Sequence, residues 1–272
     1  MRSSIGRMRI GLTVLLVPLV SVLSACGSTK PKKLAAPPKV TQFAVQSKLL
    51  GRQMYEELVT PDGGGEGRPL LVFLHGYGGT PSDTADPAFI TALRRLGDRA
   101  PVVLLPEGDT GWWHDRDEGP WGTYVLLEAI PAALKRSGAD HDRVAIGGIS
   151  MGGFGALDLG RLAPEKFCAV GGHSPAVYER LWDDSLFGFD NQDDFDHHDL
   201  LTLARSRSPY KAPVWIDVGD QDSLRPAAEK LADELRDHGA DVTFHVWPGG
   251  HAGPYWDRHF ADYLDFYADA CF

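Results

Sequence analysis

Positive charge is scarce in this chain. Lysine and arginine together number 27, against 37 aspartate and glutamate residues, and the formal net charge is −10. Three arginines lie within the first 25 residues, which hold no acidic residue, and four lysines lie between residues 30 and 39, so the remainder is more acidic still. An acidic surface repels phosphate backbones. The composition therefore argues against nucleic acid as a partner.

The apolar run near the N-terminus is too short to cross a bilayer. It spans residues 10–23, whereas a membrane-spanning helix needs about 20 apolar residues. A basic segment precedes the run and small residues follow it, which predicts a signal peptide over residues 1–25. Leu23-Ser24-Ala25-Cys26 resembles a bacterial lipobox, and the resemblance implies cleavage before Cys26 and lipid attachment there. The alternative is an ordinary secretory signal that ends near a cysteine.

The first 40 residues thus predict an exported protein, anchored by lipid to the bacterial cell membrane with its domain outside the cytoplasm. Residues 26–40 are rich in lysine and proline, which predicts a flexible tether. Residues 41–272 have the length of one catalytic α/β domain. Cysteine is scarce: besides Cys26 there are only Cys168 and Cys271. In an exported protein these two could form a disulfide, or they could be buried free thiols.

Alternating β-rich and helical patterns follow the tether, without internal repeats. Continuous apolar strands alternating with amphipathic helices indicate a mostly parallel sheet with helices on both faces. The first two strands instead favour an antiparallel hairpin, since a glycine-rich loop follows them. Residues 174–211 have weak periodicity and are expected to wrap over one edge of the site. Predicted strands lie at 43–50, 53–59, 70–74, 102–105, 144–149, 169–171, 214–218 and 243–246, and predicted helices at 87–96, 121–136, 152–162, 226–238 and 255–270.

The most informative motif is a Gly-x-Ser-x-Gly turn centred on Ser150. It follows the buried strand 144–149 and precedes a helical pattern, the context of a nucleophile elbow. Such a turn exposes the serine hydroxyl and directs the Met151 amide to the same side, so it predicts a nucleophile and one oxyanion-hole donor. The alternative is a glycine-rich turn without catalytic function.

A serine nucleophile needs a base and an acid that orients the base. His251 follows the last predicted strand, so its loop can reach the carboxyl ends of the central strands. His75 also follows a strand, but it precedes the serine, whereas in proteins with a nucleophile elbow the base follows the serine along the chain. His75 is therefore interpreted as a hydrogen-bonding residue of its loop. Asp220 and Asp222 both follow the penultimate strand, and position alone leaves the choice between them open.

Two further segments each allow two interpretations. Trp112 and Trp113 follow strand 102–105 and either line a substrate pocket or fill the core. Residues 193–199 could bind a metal through carboxylates and imidazoles or form a solvated acidic loop. No fixed ligand spacing is recognisable, so no metal and no cofactor are predicted.

The chain resembles the α/β-hydrolase-fold esterases, and within them the esterase D group of S-formylglutathione hydrolases, acetyl and feruloyl esterases and mycolyltransferases. The motifs that carry the resemblance, over roughly residues 47–272, are Leu-His-Gly-Tyr-Gly-Gly, Gly-Ile-Ser-Met-Gly-Gly, Gly-Asp-Gln-Asp and Gly-Gly-His in this order. The resemblance implies an α/β-hydrolase fold without a large cap domain. It also implies Ser150 as nucleophile, His251 as base, Asp222 as acid, and the Tyr77 and Met151 amides as oxyanion donors.

These observations favour an exported serine carboxylesterase that acts on a small-molecule or glycan-linked ester. One alternative is an acyltransferase of the mycolyltransferase type, with a sugar acceptor in place of water. Another is a noncatalytic binding lipoprotein. The acyl group, the alcohol and the oligomeric state are not specified by the sequence.

Overall fold

The computed structural model describes Met1 and residues 34–181, 186–205 and 210–272. The predicted signal peptide, Cys26 and most of the tether therefore lie outside the described residues. The described residues from 34 onward form one compact unit. Among the residues that are described, no helix is both long and apolar enough to span a bilayer.

A mixed sheet organises this unit. Within the described residues it has eight strands in the order β1-β2-β4-β3-β7-β8-β9-β10, and a separate two-stranded ribbon pairs β5 with β6. The strands are β1 (Lys39–Gln46), β2 (Gln53–Thr60), β3 (Leu70–Leu74), β4 (Val102–Leu105), β5 (Asp115–Arg116), β6 (Gly119–Pro120), β7 (Val144–Ile149), β8 (Phe167–His173), β9 (Val214–Gly219) and β10 (Val242–Trp247).

Strand direction follows the prediction. β1 pairs antiparallel with β2, and β2 antiparallel with β4, while β4, β3, β7, β8, β9 and β10 run parallel. The central parallel strands β3, β4, β7 and β9 are almost fully buried because helices cover both faces, whereas β10 at the edge is half-buried. The α/β-hydrolase-like fold expected from the sequence is therefore confirmed.

The helices divide between the two faces of the sheet. Side chains of α2 and α9 pack with Leu71 and Phe73 on one face, and side chains of α4, α5 and α8 pack with Leu70 and Val72 on the other. The α-helices are α1 (Pro81–Thr84), α2 (Pro87–Leu96), α3 (Trp121–Tyr124), α4 (Ile130–Ser137), α5 (Met151–Leu162), α6 (Gln192–His198), α7 (Leu200–Ala204), α8 (Arg225–Asp237) and α9 (Gly253–Cys271).

Three predicted segments differ in the structure. The single helix expected over 121–136 is divided by a π-helical turn, Val125–Ala129, just before Pro131. Proline lacks the N–H that would continue the α-helical hydrogen bonds, so the interruption falls there. The expected acidic loop at 193–199 is mostly helix α6. The tether was predicted to extend to residue 40, but β1 begins at Lys39 and Ala35 exchanges hydrogen bonds with Arg94 (3.2 and 2.7 Å), so its last residues belong to the domain.

A disulfide links the last helix to the sheet. Cys168 in β8 is bonded to Cys271 at the end of α9, with an S–S distance of 1.99 Å and a Cα–Cα distance of 5.5 Å. Of the two alternatives for these cysteines, the structure contains the disulfide. The bond fixes α9 over β8, next to the strands that carry the candidate site.

Candidate active site

Ser150 occupies a sharp turn between β7 and α5. Its backbone has φ 56° and ψ −117°, a conformation that residues other than glycine seldom adopt. A Cβ atom at Gly152 would lie 2.1 Å from the Leu74 carbonyl oxygen, and one at Gly148 would lie 2.5 Å from the Gly152 backbone. Only glycine fits at these two positions. The local geometry is that of the elbow predicted from the Gly-x-Ser-x-Gly pattern.

Three loops bring a serine, a histidine and a carboxylate into a hydrogen-bonded row. The Ser150 Oγ lies 2.8 Å from His251 Nε2, and His251 Nδ1 lies 2.8 Å from Asp222 Oδ2. Since a carboxylate can only accept, Nδ1 carries the proton of neutral His251 and Nε2 can accept the serine proton. The arrangement has the connectivity of a Ser-His-Asp triad.

Asp222 and Asp220 occupy different environments. The Asp222 side chain is fully buried, and its Oδ1 accepts a hydrogen bond from the Leu224 amide (2.9 Å). Burial by itself would raise the pKa of Asp222, but the hydrogen bonds from His251 and the Leu224 amide outweigh burial and hold the pKa below its usual range. Asp220 instead accepts from the Gly249 amide (2.9 Å) and supports the turn before His251. The structure thus brings Asp222, and not Asp220, to His251.

The two predicted oxyanion donors lie beside the serine. Met151 is the first residue of α5, so its N–H has no acceptor within the helix and lies at the positive end of the helix dipole. The loop that carries Tyr77 contacts the elbow, since a Cβ atom at Gly76 would lie 3.4 Å from Ser150 Cβ. Neither N–H is occupied by an acceptor within the described part of the chain.

The competing histidine has a structural role. His75 is buried, accepts a hydrogen bond at Nε2 from the Gly108 amide (3.2 Å) and donates from Nδ1 to the Gly76 carbonyl (2.8 Å). This confirms its interpretation as a hydrogen-bonding residue of its loop. Its ring also contacts Trp113, whose Nε1 donates to the His75 carbonyl (3.1 Å).

The paired tryptophans are core residues. Trp112 and Trp113 are 1% and 0% exposed, and neither lines the cavity in front of Ser150. The interpretation as pocket residues is therefore not supported, because both rings turn inward from left-handed backbone positions (φ 56° and 62°). Trp112 contacts Phe187, and Phe187 contacts Tyr77, so the pair supports the wall of the cavity from behind. Segment 174–211 reaches the site through Phe187 and through Ala176, whose amide donates to the Ser150 carbonyl (3.0 Å).

A buried network that the sequence did not indicate lies behind the row. Asp217 in β9 is fully buried and accepts four hydrogen bonds. His173 Nδ1 (2.6 Å) and Trp215 Nε1 (2.9 Å) donate to Oδ1, and the hydroxyls of Tyr255 (2.7 Å) and Tyr263 (2.8 Å) donate to Oδ2. A buried carboxylate is tolerated when its oxygens are satisfied in this way.

His173 connects this network to the nucleophile. Its carbonyl accepts from the Ser150 amide (2.9 Å), and its Nε2 accepts from the Tyr267 hydroxyl (2.8 Å). The neighbouring Ser174 amide donates to the Asp217 carbonyl (2.7 Å). Strands β8 and β9 and helix α9 are thus bonded to one another directly beneath the elbow.

An open cavity of about 460 Å³ lies in front of Ser150 and His251. Its apolar wall comes from side chains that include Ile149, Trp256 and Phe260. Three carboxylates also line it: Asp83, Asp86 and Asp257. Burial, followed by the nearby Asp86 carboxylate, raises the pKa of Asp257. The cavity is large enough for a small organic molecule and carries negative charge at one side.

Comparison with known proteins gives a consistent picture. The family model described as putative esterase matches residues 47–267. The acetyl esterase of Caldicellulosiruptor saccharolyticus is 27% identical over 229 residues, which cover 72% of this chain and 82% of that protein. An esterase of Mycobacterium tuberculosis strain H37Rv is 24% identical over 256 residues, which cover 79% of this chain, but the match spans only 56% of that longer protein.

Solved structures share the fold. A ferulic acid esterase superposes with a TM-score of 0.76 at 21% identity, covering 86% of this chain and 98% of that one. An S-formylglutathione hydrolase from Agrobacterium tumefaciens gives a TM-score of 0.74 at 21% identity, covering 88% and 98%. These are the kinds of enzyme that the sequence motifs resembled.

Proposed function

The chain belongs to the putative esterase family and is a hydrolase of the serine hydrolase type, and from this premise we propose that it cleaves carboxylic esters through an acyl-enzyme intermediate on Ser150. The observation that carries the proposal is the row from Ser150 through His251 to Asp222, with both contacts at 2.8 Å. In this proposal Asp222 holds His251 in the tautomer whose Nε2 accepts a proton.

The reaction follows from the positions of these groups. His251 Nε2 takes the Ser150 proton as Oγ attacks the ester carbonyl, and the oxygen that becomes negative receives hydrogen bonds from the Tyr77 and Met151 amides. The tetrahedral intermediate collapses, the C–O bond to the alcohol breaks, and His251 gives its proton to the leaving oxygen. Water then attacks the acyl carbonyl as His251 Nε2 takes its proton, the bond from the acyl carbon to Ser150 Oγ breaks, and His251 returns the proton to Oγ as the acid leaves. Buried Asp222 stabilises the imidazolium in both halves.

The cavity favours small neutral or cationic esters. Its apolar wall of Ile149, Trp256 and Phe260 can contact an acyl or aryl group, and its carboxylates, Asp83 and Asp257 among them, oppose an anionic substrate. We therefore expect neutral acetyl or similarly short acyl esters to be cleaved faster than esters that also carry a free carboxylate group.

A serine variant tests the proposal. Ser150→Ala should lower kcat by about 10⁶ with little change in melting temperature, since the lost hydroxyl lies at the surface of the cavity. Ser137→Ala, at the end of α4 and remote from the cavity, is the matched control and should stay within about twofold of wild type. A fluorophosphonate should label Ser150 of the wild type and of the control. Activity within tenfold of wild type in folded Ser150→Ala would exclude this nucleophile.

A panel of ester substrates separates hydrolysis from acyl transfer. Aryl esters from acetate to palmitate are assayed with and without sugar acceptors. Free acid as the product in both conditions supports the esterase. Transfer to the sugar would favour the acyltransferase alternative, and binding without turnover would favour a noncatalytic lipoprotein.

We further propose that the enzyme is exported and anchored to the cell membrane through a lipid on Cys26. The support is the sequence alone: a basic N-terminus, a short apolar run and the lipobox-like Leu23-Ser24-Ala25-Cys26. Mass spectrometry of the membrane fraction should find a lipidated N-terminal Cys26, and Cys26→Ala should remove it. An unmodified mature N-terminus in the soluble exported fraction would refute the anchor.

A further inference from the structure

A second cluster of polar side chains lies outside the catalytic cavity. Helix α6 carries Asp194 and His198 four residues apart, so they share one face, and His114 approaches that face from the segment before β5. Asp194 Oδ1 lies 3.8 Å from His114 Nδ1 and 3.7 Å from His198 Nε2. One such atom from each of the three residues lies within 4.8 Å of the others.

The surrounding hydrogen bonds leave a lone pair on each of these atoms. His114 Nε2 lies 3.0 Å from the Gly188 carbonyl, which can only accept, so the ring proton is on Nε2 and Nδ1 is bare. His198 Nδ1 lies 2.8 Å from Asp158 Oδ2, so its proton points to that carboxylate and Nε2 is bare. Asp194 Oδ2 accepts from the Asp190 amide (2.8 Å), which leaves Oδ1 free.

Arg161 fixes the outer part of this arrangement. Its guanidinium donates to the fully buried carboxylate of Asp158 (2.8 and 2.6 Å), so the two charges compensate each other. The same guanidinium lies 3.4 Å from His198 Nδ1, a longer contact than the 2.8 Å to Asp158. The shorter contact decides the position of the His198 proton, and Arg161 holds the acceptor that orients this ring.

The buried His114 ring leaves one nitrogen of the cluster without a partner in the described part of the chain. The His114 side chain is fully buried, and its Nδ1 has no hydrogen-bond partner among the described residues. The His114 lone pair is therefore unsatisfied by these residues, at a cost typical of buried polar groups without a partner. A cation between the three atoms satisfies all of them at once.

We propose that His114 Nδ1, Asp194 Oδ1 and His198 Nε2 bind a divalent first-row transition metal ion, with zinc as the best match. Two imidazoles and one carboxylate are a ligand set typical of this class. Zinc bonds of about 2.0–2.2 Å place tetrahedral ligands roughly 3.3–3.4 Å apart. The 3.7 and 3.8 Å separations from Asp194 Oδ1 need to close by about half an ångström, and the two nitrogens, which lie within 4.8 Å of each other, by at most about 1.5 Å.

The partners of the ligands are those of a metal site. A metal-bound histidine usually donates its second N–H to a carboxylate or a backbone carbonyl, which fixes the ring and its tautomer. Asp158 does this for His198, and the Gly188 carbonyl does it for His114. The cluster also borders a cavity of about 410 Å³, which leaves room for water at a fourth position.

The site would act as a brace for the wall of the catalytic cavity. None of the three ligands lines that cavity, so the ion does not take part in ester cleavage. It would join α6 to the segment that begins with Trp112 and Trp113. Gly188, which orients His114, is next to Phe187, and Phe187 packs on Tyr77 with ring centroids 5.1 Å apart. Metal binding would therefore hold Phe187 in place beside the oxyanion loop.

Zinc binding by the chelator-treated full chain tests the proposal. Wild type should bind one zinc ion per chain at micromolar or lower free zinc, and saturating zinc should raise Tm by about 5–10 °C. Asp194→Asn keeps the shape and offers a donor to the two bare nitrogens, so it should fold and lose at least 100-fold in affinity together with the Tm shift. Asp193→Asn makes the same charge change on the exposed side of α6 and should bind within about threefold of wild type.

Three results would overturn the site. One is that the wild type binds fewer than half an equivalent of zinc when the free zinc concentration is about tenfold above a micromolar dissociation constant. Another is equal binding by Asp194→Asn, which would assign the zinc to another place such as the exposed Asp140-His141-Asp142 run. A third is equal stabilisation by calcium, which has little affinity for imidazole. If Asp194→Asn fails to fold, His114→Gln supplies the same comparison, and its retention of wild-type affinity would likewise exclude the site.

Discussion

Replacing Asp222 by asparagine forces a choice between two hydrogen bonds. In the wild type Oδ2 accepts from His251 Nδ1 (2.8 Å) and Oδ1 accepts from the Leu224 amide (2.9 Å). Asparagine has one oxygen and one NH₂ group. If its oxygen faces His251, its NH₂ opposes the Leu224 N–H. If its NH₂ faces His251, Nδ1 must accept, the ring proton moves to Nε2, and the base can no longer take the Ser150 proton.

The second orientation explains a large loss of activity. The same substitution in a well-studied triad lowers kcat by about 10⁴ through the wrong tautomer, which corresponds to about 5.5 kcal/mol of activation free energy. The first orientation avoids this only by leaving two buried donors opposed, at about 1–3 kcal/mol. We therefore expect Asp222→Asn to lose 10³–10⁴ in kcat while remaining folded.

Asp220→Asn is the matched control, two residues away with the same change of charge. Among the described residues the Asp220 carboxylate accepts one hydrogen bond, from the Gly249 amide, and the oxygen of asparagine can accept it equally well. Its kcat should stay within tenfold of wild type. Both variants are assayed with p-nitrophenyl acetate at one pH, alongside their melting temperatures. An active Asp222→Asn with an inactive Asp220→Asn would refute the assignment of the acid.

Two further predictions concern stability. The Cys168–Cys271 disulfide closes a loop of 103 residues, so the free energy of unfolding of Cys168→Ser/Cys271→Ser should fall by about 4–5 kcal/mol and its Tm by roughly 10–20 °C. Reductant should lower the Tm of the wild type but not of this variant, and an unchanged wild-type Tm in reductant would contradict the prediction. Burial raises the pKa of Glu56 to about 7 from an ordinary 4.5, so the folded chain holds this proton more tightly than the unfolded chain and stability falls as pH rises between these values. Denaturant titrations at pH 4 and pH 8 should show that the free energy of unfolding falls by up to about 3 kcal/mol in wild type but not in Glu56→Gln. An equal pH dependence of the two proteins would show that Glu56 is not the source of the loss.

The sequence predicted what depends on local pattern. Buried parallel strands are continuous apolar runs, and the elbow is a short motif in which Gly148 and Gly152 are required by backbone contacts. His251 could be selected because its place after the last strand fixes where its loop reaches. Asp222 needed the family resemblance, since Asp220 is as close to the strand in sequence and only the turn geometry separates them.

The rest depends on contacts between distant parts of the chain. Asp217 reads as an ordinary strand residue, and its four donors come from three different elements. The acidic run 193–199 was recognised as a possible source of ligands, but no spacing rule pairs it with His114 about 80 residues earlier. Trp112 and Trp113 were equally compatible with a pocket and with the core, because a large apolar ring suits both. Only packing decides such cases.

The hydrogen bonds to buried Asp217 distinguish residues of the site that do not tolerate substitution from residues that do. Substitutions in the elbow or in the network would disturb strands and helix together, so laboratory evolution should find few tolerated replacements there. Asp83 caps α1 and Phe260 packs with Phe73 in the core, whereas Tyr77 and Asp257 face the cavity with exposed side chains. A library confined to Tyr77 and Asp257 should change which esters are accepted while leaving the catalytic row intact, which makes the exposed part of the wall the place to redesign this enzyme.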